Sequence, residues 1–581
     1  MSDLIKKLYS STMPSTRTGL FFNTYSYPTK ISPESIAVYI ASHTEPGDTV
    51  LDAFAGSGST GIAALMCEHP TKQMKDIAKK LGVSPKWGAR NAILYDISSY
   101  GSFAAGVMAN APIAKDFEDA ARSLIDSAKE QLPNIYSICD DQGNEGVVRH
   151  VIWSYLSICP KCGSEISYYD TFVSHNPLSM NKEGACPFCN KRIKYSECEP
   201  SLETHFDSLL DENVTQRKRQ PARIYGVTNG RKWFREASSS DVEDYRSIES
   251  AAYASTFPPK SLQWGELRRS GYHRGISHLH HFYTKRNYNV FAALWAQTDS
   301  FDPAMRDALR LLLLSYNSTH STLMTRVVAK KNSKDFVLTG AQSGVLYISN
   351  LPVEKNIFLG LERKISSFVE AFDYLNKCSG SIKVNKKSSV ELNEANDTVD
   401  YAFIDPPFGD FIPYSEVNQI NELWLPTITD KTDEAIISPS QGKTVDEYGH
   451  LLETVLSELS RVLKKSSYLT VVFHSSKAAV WNAFKKSLDE SGMSVIATSI
   501  LGKTQGSFKQ VVSSSAVQND ALILMGFSDL AQQASSSETT SPVDERTAYT
   551  MYVNDCISSG KPVLLDAKEA YELYRKGAID E

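Results

Sequence analysis

Two short segments carry residue types that could do chemistry together. Thr49-Val50-Leu51-Asp52-Ala53-Phe54-Ala55-Gly56-Ser57-Gly58-Ser59-Thr60-Gly61 reads as an apolar strand, a Gly-rich turn and a helix. Small residues in such a turn let backbone N–H groups approach a bound cofactor. The first turn of the following helix favours a carboxylate. Gly56 and Gly58 supply clearance, and Ser59 or Thr60 stands where a helix cap is needed. Far downstream, the strand Tyr401-Ala402-Phe403-Ile404 ends in Asp405-Pro406-Pro407-Phe408. Consecutive prolines fix φ and offer no N–H. They hold a carboxylate and backbone carbonyls as an array of acceptors, which suits an exocyclic amino group with its two donors. With Asp405 and the Pro406 carbonyl accepting both, the nitrogen lone pair can turn toward a reacting carbon. Phe408 stands where a ring could stack on the base.

The Gly turn alone does not choose a cofactor. Its Gly-x-Gly-x-x-Gly spacing (Gly56, Gly58, Gly61) also fits a nicotinamide dinucleotide. Asp96, which ends the apolar run Asn91–Tyr95, can accept ribose hydroxyls from either a nicotinamide cofactor or S-adenosylmethionine. The Asp-Pro-Pro-Phe loop chooses, because it asks for an amine and a methyl donor.

These two loops resemble the cofactor and catalytic loops of the amino-methylating DNA methyltransferases. The likeness extends over roughly residues 20–525 and is sharp at islands: 21–66, His281–Asn287, Gly344–Phe358 and Asp405–Leu425. The islands resemble a subgroup of adenine-specific DNA methylases that carry a zinc ribbon. Carried onto this chain, the likeness implies S-adenosylmethionine held by Asp52, Phe54, Gly56, Ser57, Gly58 and Asp96. Tyr27, Pro28, Thr29 and Lys30 would pack beside its methionine end. Asp405, Pro406, Pro407 and Phe408 would be catalytic, and Asp rather than Ser at 405 points to adenine N6 over cytosine N4. The implied reaction is methylation of a flipped adenine in double-stranded DNA, at a defined site, within a restriction-modification or phage-defence system with other subunits. An RNA guanine-N2 methyltransferase and a non-catalytic DNA-binding subunit are the alternatives.

The Asp405 loop follows the Gly turn at 52 by far more than the roughly 100 residues a doubly wound domain with βα units of about 30 residues would use. A large insertion is therefore expected between them. It holds Cys159-Pro-Lys-Cys162 and Cys186-Pro-Phe-Cys189, two tight turns that can offer four thiolates to one structural Zn²⁺. No signal peptide or transmembrane run is apparent, so a cytoplasmic, reducing setting is expected and disulfides are not. Cys198 is the fallback ligand.

At 581 residues and 41% hydrophobic, the chain can bury a large core and should hold two or three domains. Its net charge of −6 argues against being held on DNA by global charge. Local runs argue otherwise. Arg217, Lys218, Arg219, Arg231 and Lys232, then Arg268, Arg269, Lys285 and Arg286, are interleaved with aromatics and read as phosphate contacts. His273, His278, His280 and His281 lack an acidic or Cys partner nearby in sequence and do not read as a second metal site.

The element pattern predicts an α/β fold, a doubly wound and mostly parallel sheet of methyltransferase type, interrupted by the zinc-ribbon region. The expected divisions are 1–130 and 336–530 for the two halves of that domain, 131–335 for the insertion, 531–545 for a polar linker and 546–581 for a helical tail.

Overall fold

Apolar runs such as Tyr401–Ile404 and Ala521–Met525 show no polar alternation, so they need cover on both faces. The computed structural model describes residues 3–254, 257–323, 326–330, 333, 335–340, 344–503, 517, 519–531 and 545–575. Eight strands form one mixed sheet: β1 (Met13–Ser15), β2 (Thr49–Asp52), β3 (Asn91–Tyr95), β4 (Ile382–Asn385), β5 (Val399–Ile404), β6 (Leu463–Phe473), β7 (Ser494–Lys503) and β8 (Asp520–Gly526). Their spatial order is β1-β7-β8-β6-β5-β2-β3-β4. Neighbours are parallel except at β8, which runs antiparallel to β6 and β7. The mixed α/β architecture and its largely parallel sheet agree with the predicted class.

From β2 the chain winds through β3 to β4 at one edge; from β5 it winds the other way through β6. Val50 pairs with Tyr401 and Leu51 with Ala402, so β2 and β5 lie side by side at the reversal. Ligands of open α/β sheets bind at the carboxyl ends of strands where the winding reverses. Asp52 ends β2 there, and Asp405 follows β5.

The helix Val445–Val462 illustrates how sequence spacing builds the cover. Tyr448, Leu452, Val455, Leu456, Leu459 and Val462 recur at helical intervals and are all buried. Each such burial is worth about 1.5–3 kcal/mol. Thr444 and Glu447 close a capping box at its start. Val390–Asn393, whose composition predicts a strand, is instead a turn. Its Leu392 and Asn393 N–H groups donate to Glu458 and to the Tyr95 hydroxyl, while Ile382–Asn385 takes the place beside β3.

The chain divides into two compact units. One comprises Met1–Ala114, Glu370–Asn418 and Leu425–Glu581; the other comprises Lys115–Val369 and Gln419–Trp424. The second unit thus interrupts the crossover between β3 and β4, and its bounds are wider than the expected 131–335. Its first and last helices explain this: Phe117 of Ala114–Gln131 stacks on Phe368 of Ile357–Leu375, 5.7 Å between centroids. The C-terminal helices Glu545–Ser558 and Ala567–Arg575 are not a separate tail. Tyr549, Val553, Ile557, Ala570 and Tyr571 join the core around Phe473 and Trp481. The expected linker 531–545 lies, apart from its ends, outside the described residues.

The second unit centres on the long strand Glu145–Ile158, paired antiparallel with Arg219–Thr228. Asn229 and Gly230, with φ of 51° and 77°, turn the latter into Arg231–Glu236 as a two-residue hairpin. Among the described residues, no helix is long and apolar enough to cross a membrane.

Candidate active site

The Gly turn is knitted by its own acid. Asp52 accepts the Phe54 N–H at 3.0 Å and the Thr60 hydroxyl at 2.5 Å. Thr60 therefore does not cap the helix; Gly58, with φ of 87°, stands at that cap. Asp96 accepts the Gly56 N–H at 2.6 Å and the Ser98 N–H at 2.7 Å, binding the end of β3 to the turn after β2. Close packing explains three glycines. A Cβ at Gly56 would lie 2.9 Å from the Tyr27 ring, one at Gly61 2.9 Å from Leu94, and one at Gly101 2.5 Å from the Gly56 carbonyl. Gly58 departs from expectation: its missing side chain makes room for Ala105, at 2.9 Å, rather than for a ligand.

Burial pushes the Asp52 carboxyl up to about 7, against the pull of its two donors. A carboxyl raised in the folded state stabilises fully below its unfolded value near 4, and that contribution is lost as pH rises through about 7. Asp52→Asn should therefore flatten the decline in Tm between about pH 4 and pH 8. Equal slopes in mutant and wild type would contradict this.

A cleft opens at the switch point, with about 1020 Å³ of empty space including its mouth. That is the size of a pocket for a nucleoside-sized ligand. Tyr27, Thr29, Lys30, Asp52, Phe54, Gly56, Ser57, Asp96, Asp405 and Pro407 all line it. Residues from four separate segments thus meet in one cleft. Lys30 is held by the Phe21 carbonyl at 2.8 Å and lies over the Tyr25 ring.

Phe408 does not join them. It is 4% exposed and packs edge-on against Phe473, 5.7 Å away, so its ring belongs to the core. Gly409, with φ of 66°, turns the loop behind it. Pro407 gives its carbonyl to the Tyr448 hydroxyl at 2.6 Å, anchoring the loop to the helix Val445–Val462. Pro406 is not among the lining residues. Tyr414, Ser389, Thr429 and Glu434 also line the cleft, with no local spacing to mark them. Tyr414 opens the helix Tyr414–Glu422 and the others lie on loops without periodicity, so only the fold brings them here.

In the second unit, the Cys159, Cys162, Cys186 and Cys189 sulfurs all lie within 4.8 Å of one another. Both knuckles use the same backbone turn: Gly163 N–H donates to the Cys159 carbonyl and Asn190 N–H to that of Cys186, each at 2.9 Å. Gly163 and Asn190 have φ of 76° and 54°, as the turn requires. Four thiolates at this spacing fit one tetrahedral Zn²⁺, whose bonds of about 2.3 Å separate sulfurs by about 3.8 Å. Cys198 lies outside the group.

A second cluster, Asp207 with His280 and His281, is fully buried. The acid the sequence did not reveal comes from the end of the strand Leu202–Asp207. Both imidazoles donate through Nε2 to one Asp207 oxygen, at 2.8 and 3.1 Å. His281 Nδ1 accepts the Ser277 N–H, which puts the ring proton on Nε2 and leaves no lone pair there for a metal. The cluster is a buried carboxylate shared by two imidazoles, with its three ligand atoms within 4.8 Å of one another.

The basic run is largely structural. Arg217 stacks on Tyr155, Lys218 pairs with Glu165 at 2.8 Å and Arg219 with Glu249 at 2.8 Å. Lys285 is buried over Tyr253, and Arg286 pairs with buried Glu354 at 2.7 Å. Only Arg231, Lys232, Arg268 and Arg269 of the nine remain exposed. Replacing those four with Ala should lower the log–log salt slope of DNA binding by about one unit per lost phosphate contact. An unchanged slope would return them to ordinary solvated loops. Arg286→Ala should instead cost about 3–5 kcal/mol in denaturant unfolding, because buried Glu354 loses its charged partner and is left with the Trp153 indole N–H. A loss below about 1 kcal/mol would mean that Glu354 finds another partner.

Residues 6–97 match the family model of the N6/N4 DNA methylases. The match spans the Gly turn and Asp96 and supports DNA methyl transfer as the general class of activity. No curated protein matches the chain.

Proposed function

We propose that the protein transfers a methyl group from S-adenosylmethionine to the N6 amino group of adenine in double-stranded DNA. The observation that carries this is the meeting of Asp96, the Gly turn and Asp405 in one cleft at the reversal of the sheet. Bound S-adenosylmethionine would supply an electrophilic methyl. Asp96 would accept its ribose hydroxyls, and the turn at Gly56 and Ser57 and the segment Tyr27–Lys30 would hold the rest. Asp405 would accept an amino proton, turn the nitrogen lone pair toward the methyl and stabilise the positive charge that develops on nitrogen. Most of the acceleration would be positioning, with the target base flipped out of the duplex. The choice of adenine over cytosine rests on Asp405 within the resemblance. The second unit would hold one structural Zn²⁺ on its four cysteines and contact the DNA. A restriction-modification or phage-defence setting, with other subunits, follows from the same resemblance.

Long-read sequencing of DNA from a host expressing the protein tests this. The expected result is N6-methyladenine at one recurring sequence, absent from a host expressing Asp405→Ala. Unmodified DNA, or modification confined to cytosine, would overturn it.

A further inference from the structure

Thr29 is the most unusual backbone position in the cleft. It is β-branched, yet its φ is 57°, in the left-handed region that such residues avoid. Strain of this kind persists where surrounding contacts over-determine it, and it gathers at functional sites. The contact that holds Thr29 is long-range: its hydroxyl shares a 2.7 Å hydrogen bond with the hydroxyl of Tyr414. Both residues line the cleft.

Tyr414 is tied to the cofactor side by a second route. Its ring stacks on Tyr27 at 6.3 Å and 23°, and Tyr27 stacks in turn on Tyr100 at 6.2 Å and 26°. Tyr27 sits directly against Gly56 of the cofactor turn. On its other side, Tyr414 begins the helix Tyr414–Glu422, nine residues beyond Asp405 in sequence. That start is fixed by buried Glu434, which accepts the Ser415 N–H at 3.0 Å and the Ser415 hydroxyl at 2.8 Å. Tyr414 is therefore one side chain through which the cofactor turn and the Asp405 segment touch.

We infer that Tyr414 is a positioning residue for methyl transfer, held by Thr29 so that the cofactor turn and Asp405 keep a fixed separation. The inference rests on the methyltransferase reading of the same cleft. Burial and the nearby Asp405 carboxylate keep the Tyr414 hydroxyl protonated, so it serves as a hydrogen-bonding group and not as a base. Small displacements matter here, because in-line transfer depends on the distance and angle between reacting atoms.

The test uses the full chain. Tyr414→Phe keeps the ring stack and removes the hydroxyl. It should lower single-turnover kcat by about tenfold, the scale of one lost hydrogen bond expressed at the transition state. Its Kd for S-adenosylmethionine by calorimetry should stay within about twofold, and its Tm should match wild type. Thr29→Ala should lower kcat by a similar factor, and the double variant should be no slower than either single one, because both break one contact. Thr29→Ser, which restores the hydroxyl, should recover the rate. A Tyr414→Phe protein with wild-type kcat would overturn the inference, and so would equal losses in kcat, Kd and Tm, which mark a merely structural role. If wild type itself transfers no methyl to DNA, the failure lies in the functional reading instead.

Discussion

Asp405→Ala is expected to reduce methyl transfer by about 10²–10⁴-fold while leaving S-adenosylmethionine binding nearly intact. The magnitude is that of removing a preorganised group from where charge develops. The selectivity follows from where the residue stands. Asp405 follows β5, whereas the groups that would hold the cofactor follow β2 and β3 or precede them, at Asp52, Gly56, Asp96 and Tyr27. The Pro407 carbonyl is anchored by Tyr448, so the loop should keep its course without the carboxylate. Asp96→Ala should do the converse. It removes the acceptor for ribose and for the Gly56 N–H together, so binding should weaken by more than one hydrogen bond alone is worth, about 1 kcal/mol. Calorimetry paired with a tritium-transfer assay separates the two. A rapid Asp405→Ala enzyme would exclude that residue from catalysis.

Cys186→Ser carries the other large effect. The protein should hold about one zinc per chain, and the variant should lose it. Structural zinc contributes about 10–16 kcal/mol in small metal-dependent domains, so its loss should loosen the region built on the two knuckles. Cys186 is fully buried in a cluster with Tyr168, Phe172 and Ile193, which gives the loss a route into that core. The sheet with the cleft is formed by residues of the first unit, and S-adenosylmethionine affinity should survive. Elemental analysis and limited proteolysis around 150–200 read the outcome. Zinc retained in full by the variant would rule out Cys186 as a ligand.

How much of this was legible beforehand depended on the range of each interaction. The Gly turn, the Asp-Pro-Pro-Phe loop and the paired cysteines are local, so they stand out in the sequence, the two loops as a pair through their resemblance to a known family. Helix periodicity in 445–462 and the unbroken apolar strands were equally legible, because each is one element with one cover. Partnerships across the chain were not. Arg219 and Arg286 look like phosphate ligands until Glu249 and Glu354 arrive beside them. The histidines at 280 and 281 have no acid close in sequence, because Asp207 lies on a distant strand. Phe408 reads as a stacking ring, and only the packing of Phe473 turns it inward. Tyr414 lies within the stretch Asp405–Leu425, but its contact with Thr29 spans most of the chain and no local spacing reveals it.

The most direct test of the central claim is incubation of the purified protein with tritiated S-adenosylmethionine and duplex DNA, followed by digestion to nucleosides and chromatography. The account predicts label that migrates with N6-methyldeoxyadenosine and disappears with Asp405→Ala. Label on carbon 5 of cytosine, or none in DNA while the cofactor binds, would contradict it.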